Sequence, residues 1–292
     1  MPHDHHDEPA DHDLGLVADL ATLVDRRMVL GLLAGAGLAA LTGCGSGTNA
    51  AINAPASVAP AASSATSAAA GASAAGASAA GASAACEEIP QETAGPYPGD
   101  GSNGPNVLTQ SGIVRSDIRT SFGTASGTAQ GVPTTVRLTV QDSSKGCAAL
   151  AGAAVYLWHC NRDGEYSMYS ADIENENYLR GVQQSEANGL VTFQTIFPAC
   201  YSGRWPHMHF EVYPNLAAAT SAGAKLRTSQ LALPQDACDK VYAADGYSQS
   251  VANLSRVTLQ TDNVFGDGYD TQMATVTGTV TGGLTVTLTV PV

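Results

Sequence analysis

The chain has few histidines, no clustered basic residues and no apolar run of bilayer length, and each shortage excludes something. Its 292 residues carry 13 Lys and Arg against 26 Asp and Glu. No basic stripe gathers those cations, which argues against a nucleic-acid partner. Seven of the acids and two of the bases precede Cys44, leaving net −8, an ordinary balance for a soluble domain. The apolar run "MVLGLLAGAGLAALTGC" (28–44) is too short to span a bilayer as a mature helix. Residues 45–85 have no aromatics, no charges and few large side chains. Such a stretch cannot bury enough surface to offset its ordering entropy. Histidine is scarcest: four of the seven precede Cys44, so only His159, His207 and His209 remain.

What is present divides the chain into three. Residues 1–43 read as a signal peptide, because Leu41-Thr42-Gly43-Cys44 resembles the bacterial lipobox, whose cysteine is lipidated. Arg26-Arg27 resembles a twin-arginine export signal, with Asp25 and Val29 departing from its usual pattern; an ordinary positive n-region is the other reading. Residues 44–85, with three tandem "GASAA" copies from Gly71 to Ala85, read as a disordered tether. Residues 86–292 are the working domain. The expected location is extracytoplasmic, lipid-anchored to the cell envelope through Cys44 or secreted.

The domain reads as short strands. "TTVRLTV" (134–140), "AAVYLWHC" (153–160), "GLVTFQTI" (189–196), "HMHFEVY" (207–213), "LRTSQLAL" (226–233), "TQMATVTGTV" (271–280) and "GGLTVTLTV" (282–290) are separated by Gly, Asn and Asp turns. Only "PQDACDKVYAA" (234–244) looks briefly helical. The expectation is an all-β antiparallel β-sandwich with short loops and little helix.

Two of the three domain histidines form one His-x-His. Alternating strand side chains put His207 and His209 on the same face, with Cα atoms roughly 6.5–7 Å apart. Both imidazoles can then reach one metal at about 2.1 Å. A bare pair of hydrogen-bonded histidines has the same pattern, so the neighbouring residues carry the weight.

"VYLWHCNRDGEYS" (155–167) and "YLRGVQQSEANGLVTFQTIFPACYSGRWPHMHF" (178–210) resemble the intradiol ring-cleavage dioxygenases, non-haem Fe(III) enzymes that include catechol 1,2-dioxygenase and protocatechuate 3,4-dioxygenase. The resemblance starts at "ETAGPYP" (92–98) and "VRSDIR" (114–119) and runs through "QLALP" (230–234), closest to exported single-chain members. It implies an iron ligand set of Tyr166, Tyr201, His207 and His209, one Fe(III) per chain, with Arg204 beside the substrate. It also implies that Trp158, Tyr97 and Gln230 border the substrate. The implied reaction cleaves a catechol-type ring between its two hydroxyl-bearing carbons with O₂ to a muconate-type diacid. Tyr201 would leave the metal as the catechol chelates, taking up a proton.

The residue types suit that chemistry independently. A phenol titrates near 10, and a trivalent cation favours its phenolate. Two phenolates and one hydroxide neutralise Fe(III), which permits burial. Cysteine thiolates would instead suit zinc or iron–sulfur clusters. A copper or other metal oxidase on the same residues, and a non-catalytic β-sandwich binding lipoprotein, stay open as alternatives. The particular catechol and the oligomeric state are not legible.

With Cys44 lipidated, five cysteines remain in an oxidising compartment. If residues 207–213 and 226–233 pair antiparallel with His209 near Gln230, nine residues back and eight forward bring Cys200 to Cys238, and a disulfide between them is expected. A second is expected from Cys86 with Cys147 or Cys160.

Overall fold

Valine and leucine alternate with exposed or half-exposed polar residues along Pro133–Asp142 (β1), so Val136, Leu138 and Val140 are buried on one face. Gly283–Pro291 (β9) repeats the pattern with Leu284, Val286, Leu288 and Val290. In the computed structural model, residues 86–292 are the described part of the chain. The expected signal peptide, tether and lipidation site Cys44 lie outside them. Between β1 and β9 come Ala148–Ala149 (β2), Ala154–Trp158 (β3), Arg180–Gln184 (β4), Leu190–Ile196 (β5), His207–Tyr213 (β6), Arg227–Ala232 (β7) and Thr275–Thr279 (β8). Three short helices are Leu216–Thr220 (α1), Gln235–Tyr242 (α2) and Ser248–Leu254 (α3).

These strands form two sheets. One has the order β2-β1-β9-β8, with β5 also paired to β1; the other is β4-β3-β6-β7. One apolar cluster draws Val136, Val140, Phe193 and Val286 from the first sheet and Val155, Leu157, Met208, Phe210 and Leu231 from the second. Each valine or leucine fully buried there contributes about 1.5–3 kcal/mol. The second sheet is entirely antiparallel. The first is not: β9 runs parallel to β1, with Val136 opposite Val286. An alternating sequence shows which face is buried but not which way the partner runs, so the antiparallel expectation fails at this pairing.

Strands β3 and β6 are buried on both faces. Their Met208 and Phe210 side enters the shared core, and the other side packs under Val107, Leu108 and Ile113 of the N-terminal loops. The candidate site residues Trp158, Tyr166 and Tyr201 lie on this second, loop-covered face.

One of the two expected disulfides is present and the other is not. Cys86 and Cys147 are disulfide-bonded, closing a loop of sequence separation 61, worth about 4 kcal/mol in the chain-entropy account. Cys160, Cys200 and Cys238 are buried free thiols, so the expected Cys200–Cys238 disulfide is absent. The underlying register is present, with His209 opposite Gln230, but the ladder ends at His207 opposite Ala232. Beyond it, one chain turns through Gly203 at φ 82° and the other enters α2. A helix rises about 1.5 Å per residue against roughly 3.3 Å in a strand, so counting along extended chain does not set the sulfur geometry, and the two thiols share one apolar cluster without being bonded. The Cys200 sulfur instead points to the Arg204 carbonyl at 3.5 Å, and that of Cys238 towards the Leu233 carbonyl at 4.0 Å.

Candidate metal centre

A single cross-strand row organises the site. Arg180 on β4 lies opposite Trp158 on β3, Trp158 opposite His209 on β6, and His209 opposite Gln230 on β7. The Trp158 ring stacks on His209 at 5.0 Å with planes 9° apart, and Tyr156 stacks on Trp158 at 4.8 Å. These contacts hold the His209 ring from one side. His207, two residues away on the same face, is fixed at its other nitrogen: Nδ1 donates to the Trp205 carbonyl at 2.5 Å. That leaves the lone pair of His207 Nε2 facing inward, as a metal ligand requires.

The two tyrosines come from turns. After β3 the chain doubles back at Asn161, whose Oδ1 accepts from the Asp163 and Glu165 amides at 2.9 Å each. Gly164, at φ +91°, completes this turn and presents Tyr166. Tyr201 follows Cys200 on the turn leading into β6. Tyr201 Oη lies 3.2 Å from His207 Nε2, and His207 Nε2 lies 3.1 Å from His209 Nε2. The Tyr166 ring is 5.9 Å from that of Tyr201 and 6.2 Å from that of His209. Its hydroxyl is buried without a hydrogen-bond partner, as is His209 Nδ1.

The electrostatics suit a cation. Burial, then the charge of Arg204, holds His207 well below the usual imidazole range. Burial, then His207 and Arg204, does the same to His209. Both rings are therefore neutral at pH 7 and offer lone pairs. Burial, then the adjoining Tyr201, pushes the Tyr166 phenol well above 10, so a strong local cation is what can ionise it. Neighbouring donors held at about 2.1 Å from one ion stand roughly 3 Å apart, the spacing of these atoms. An orphaned buried phenol beside two converging imidazoles fits a ferric ion. Among the described residues no group of three or more His, Cys, Asp or Glu stands where it could hold a metal.

The remaining expected residues gather here too. Arg204 is buried, and its Nη2 donates to Gln230 Oε1 at 2.7 Å, while Gln230 Nε2 donates to the Thr93 carbonyl at 2.9 Å. The ring of Tyr97 lies 5.0 Å from that of Tyr166. His159 bonds Thr195 Oγ1 and the Cys160 carbonyl, which occupy both its ring nitrogens. Two contributors escaped the sequence reading. Asp262 pairs with Arg204, Nε to Oδ2 at 2.9 Å, and Arg180 clamps the loops around the site. The Arg180 guanidinium donates to the carbonyls of Tyr97, Pro98 and Ser167, tying the Tyr97 segment to the Tyr166 turn. Asp262 sits in "TDNVFGDG" (261–268), whose composition signals a turn and nothing more.

Gly164 makes a test of this geometry. A Cβ there would stand 3.0 Å from Tyr201 Cβ, on a backbone at φ +91°. Gly164→Ala is expected to lower stability by about 1–3 kcal/mol and to shift Tyr201. Thermal melts and ferric titration should both register it; unchanged iron affinity would show that this turn does not set the Tyr201 position.

The domain is similar in fold to the intradiol ring-cleavage dioxygenase from Tetranychus urticae, with TM-score 0.56 and 24% identity over 70% of this chain and 94% of that one. A second solved dioxygenase gives TM-score 0.56 and 23% identity over the same shares. No family model matches the chain. No curated protein matches it either.

Proposed function

The chain has the fold of intradiol ring-cleavage dioxygenases, and we propose that it is one: a non-haem Fe(III) enzyme that opens a catechol-type ring between its hydroxyl-bearing carbons. The observation that carries this reading is the convergence of Tyr201 Oη and the His207 and His209 Nε2 atoms at 3.1–3.2 Å, beside the orphaned phenol of Tyr166. Catechol and O₂ combine without loss to a cis,cis-muconate-type diacid, so no further reductant is needed.

A ferric ion held by Tyr166, Tyr201, His207 and His209 would supply the Lewis acidity that ionises phenols and activates the catechol ring towards O₂. The residues divide the remaining work. Tyr166 is 2% exposed and Tyr201 is half-buried, so Tyr201 is the phenol placed to exchange with an incoming substrate. Its phenolate oxygen accepts a proton from a substrate hydroxyl. Arg204 offers a fixed positive charge as negative charge grows on the ring. Trp158 holds His209, Gln230 holds Arg204, and Tyr97 bounds the Tyr166 side. The lipobox at Cys44 belongs to the same proposal as an envelope anchor, which the mass of the N-terminal peptide of exported protein checks.

The test combines metal analysis, visible spectrum and oxygen uptake. Protein made with iron available should carry one iron per chain and a phenolate-to-iron charge-transfer band. It should consume one O₂ per catechol from some member of a catechol panel, with a muconate-type ultraviolet spectrum. Stoichiometric copper or zinc would refute the iron assignment. Iron-loaded protein inert towards the whole panel would favour a binding role.

A further inference from the structure

Asp262 lies 58 residues from Arg204 in sequence yet receives five N–H groups. Its Oδ2 accepts from Arg204 Nε at 2.9 Å and the Trp205 amide at 2.7 Å. Its Oδ1 accepts from the Val264 amide at 2.9 Å, the Phe265 amide at 3.1 Å and Arg204 Nη2 at 3.4 Å. Both side chains of the pair are dry, at 1% and 0% exposure. Every neighbour of both carboxylate oxygens is a donor, so only an all-acceptor group satisfies the position; an amide would turn its NH₂ towards two N–H groups in one orientation and three in the other. Gln230 Oε1 takes Arg204 Nη2 from the other side. With Nε and Nη2 so engaged, Nη1 is turned to within 3.5 Å of His207 Nε2. Phe265, carried on the same turn, lies 6.4 Å from the His207 ring.

We propose that Asp262 is the positioning residue for Arg204: it fixes the guanidinium plane so that the Nη1 corner faces the metal-ligand cluster. It also compensates the charge of a buried arginine that would otherwise be costly to hold there. In the substrate-free site the Arg204 charge is largely matched by Asp262. The arginine can therefore act on charge that develops during turnover. The kinetic part of this inference rests on the ring-cleavage reading; the placement of Arg204 does not.

Two measurements on the full chain test it. The first is hydrogen exchange at arginine side chains by ¹⁵N NMR on metal-free protein, with Arg204 assigned by the signal lost in Arg204→Ala. The Arg204 Nε–H should be among the slowest-exchanging arginine signals in wild type and should exchange at least roughly tenfold faster in Asp262→Asn, since a charge-assisted bond of the usual strength is lost. Rapid exchange in wild type overturns the proposal whether or not the variant folds. The second is a double-mutant cycle on iron-loaded protein. Asp262→Asn should keep iron and the phenolate-to-iron band, lower kcat roughly 10- to 100-fold and leave KM within about threefold. Placed on Arg204→Ala, it should cost less than about threefold more, because the residue it acts through is gone. An undiminished loss in that background would show that Asp262 acts on the fold or on another group. Absence of turnover in wild type would sink the ring-cleavage reading and leave the exchange measurement to decide the placement.

Discussion

Tyr166→Phe protein will lose its iron while its metal-free form becomes more stable. The phenol is buried at 2% exposure and makes no well-formed hydrogen bond, although the Tyr201 side chain bears on its hydroxyl. A buried hydroxyl left unmatched costs about 1–3 kcal/mol, and phenylalanine removes that cost with the same ring. Chelator-treated Tyr166→Phe is therefore expected to melt roughly 2–12 °C above chelator-treated wild type. Ferric affinity should move the other way by at least ~100-fold, beyond what loss of an outer-shell partner typically costs. The fall in ferric affinity distinguishes a metal ligand from a core aromatic, because a merely structural tyrosine with the same unmatched hydroxyl would gain stability and leave ferric affinity unchanged. Tyr201→Phe provides the contrast. It keeps the deeply buried ligand and both imidazoles, so it should retain iron tolerably. Turnover should slow through impaired substrate deprotonation, since the departing base is missing. A wild-type rate in Tyr201→Phe would refute the exchanging role assigned to that residue.

Arg204→Ala should keep the charge-transfer band and lose rate by roughly 10²–10³-fold, the usual loss on removing one preorganised group that stabilises developing charge. Removal also strands Asp262, which retains three backbone amides but no counter-charge. Breaking one side of a buried pair costs about 3–5 kcal/mol, so the kinetics should be measured well below a lowered melting temperature. Anaerobic catechol binding, followed through the visible band, separates the two effects. Binding within a few-fold of wild type with kcat collapsed fits a role late in the reaction. Loss of the band itself would move Arg204 from reaction chemistry to upkeep of the metal site.

What the residues themselves made legible lies close together in chain order, and the other expected site residues, from Tyr97 to Gln230, were read through the family resemblance. His207 and His209 share a face because strand side chains alternate, and the Tyr166 turn is written in Asn161, Gly164 and its neighbours. What escaped acts over distance. Arg180 went unread because a charged residue in a short strand suggests surface, yet five donor contacts to Tyr97, Pro98, Tyr156 and Ser167 make its burial tolerable. Strand β4 went unread with it. Asp262 carried no local signal, because its meaning is its contact with Arg204 across 58 residues.

The sequence by itself determined which strands alternate, which faces are apolar, and that His207 and His209 share one of them. Each follows from the two-residue period of a strand or from the chemistry of a short turn. Tertiary structure alone decided that β9 runs parallel to β1, that Cys86 pairs with Cys147 rather than Cys160 while Cys200 stays a thiol, and that Asp262 and Gln230 grip Arg204 from two sides. Those outcomes depend on which distant segments desolvate one another. Only the folded chain brings together the donors and acceptors that must be matched once water has been excluded.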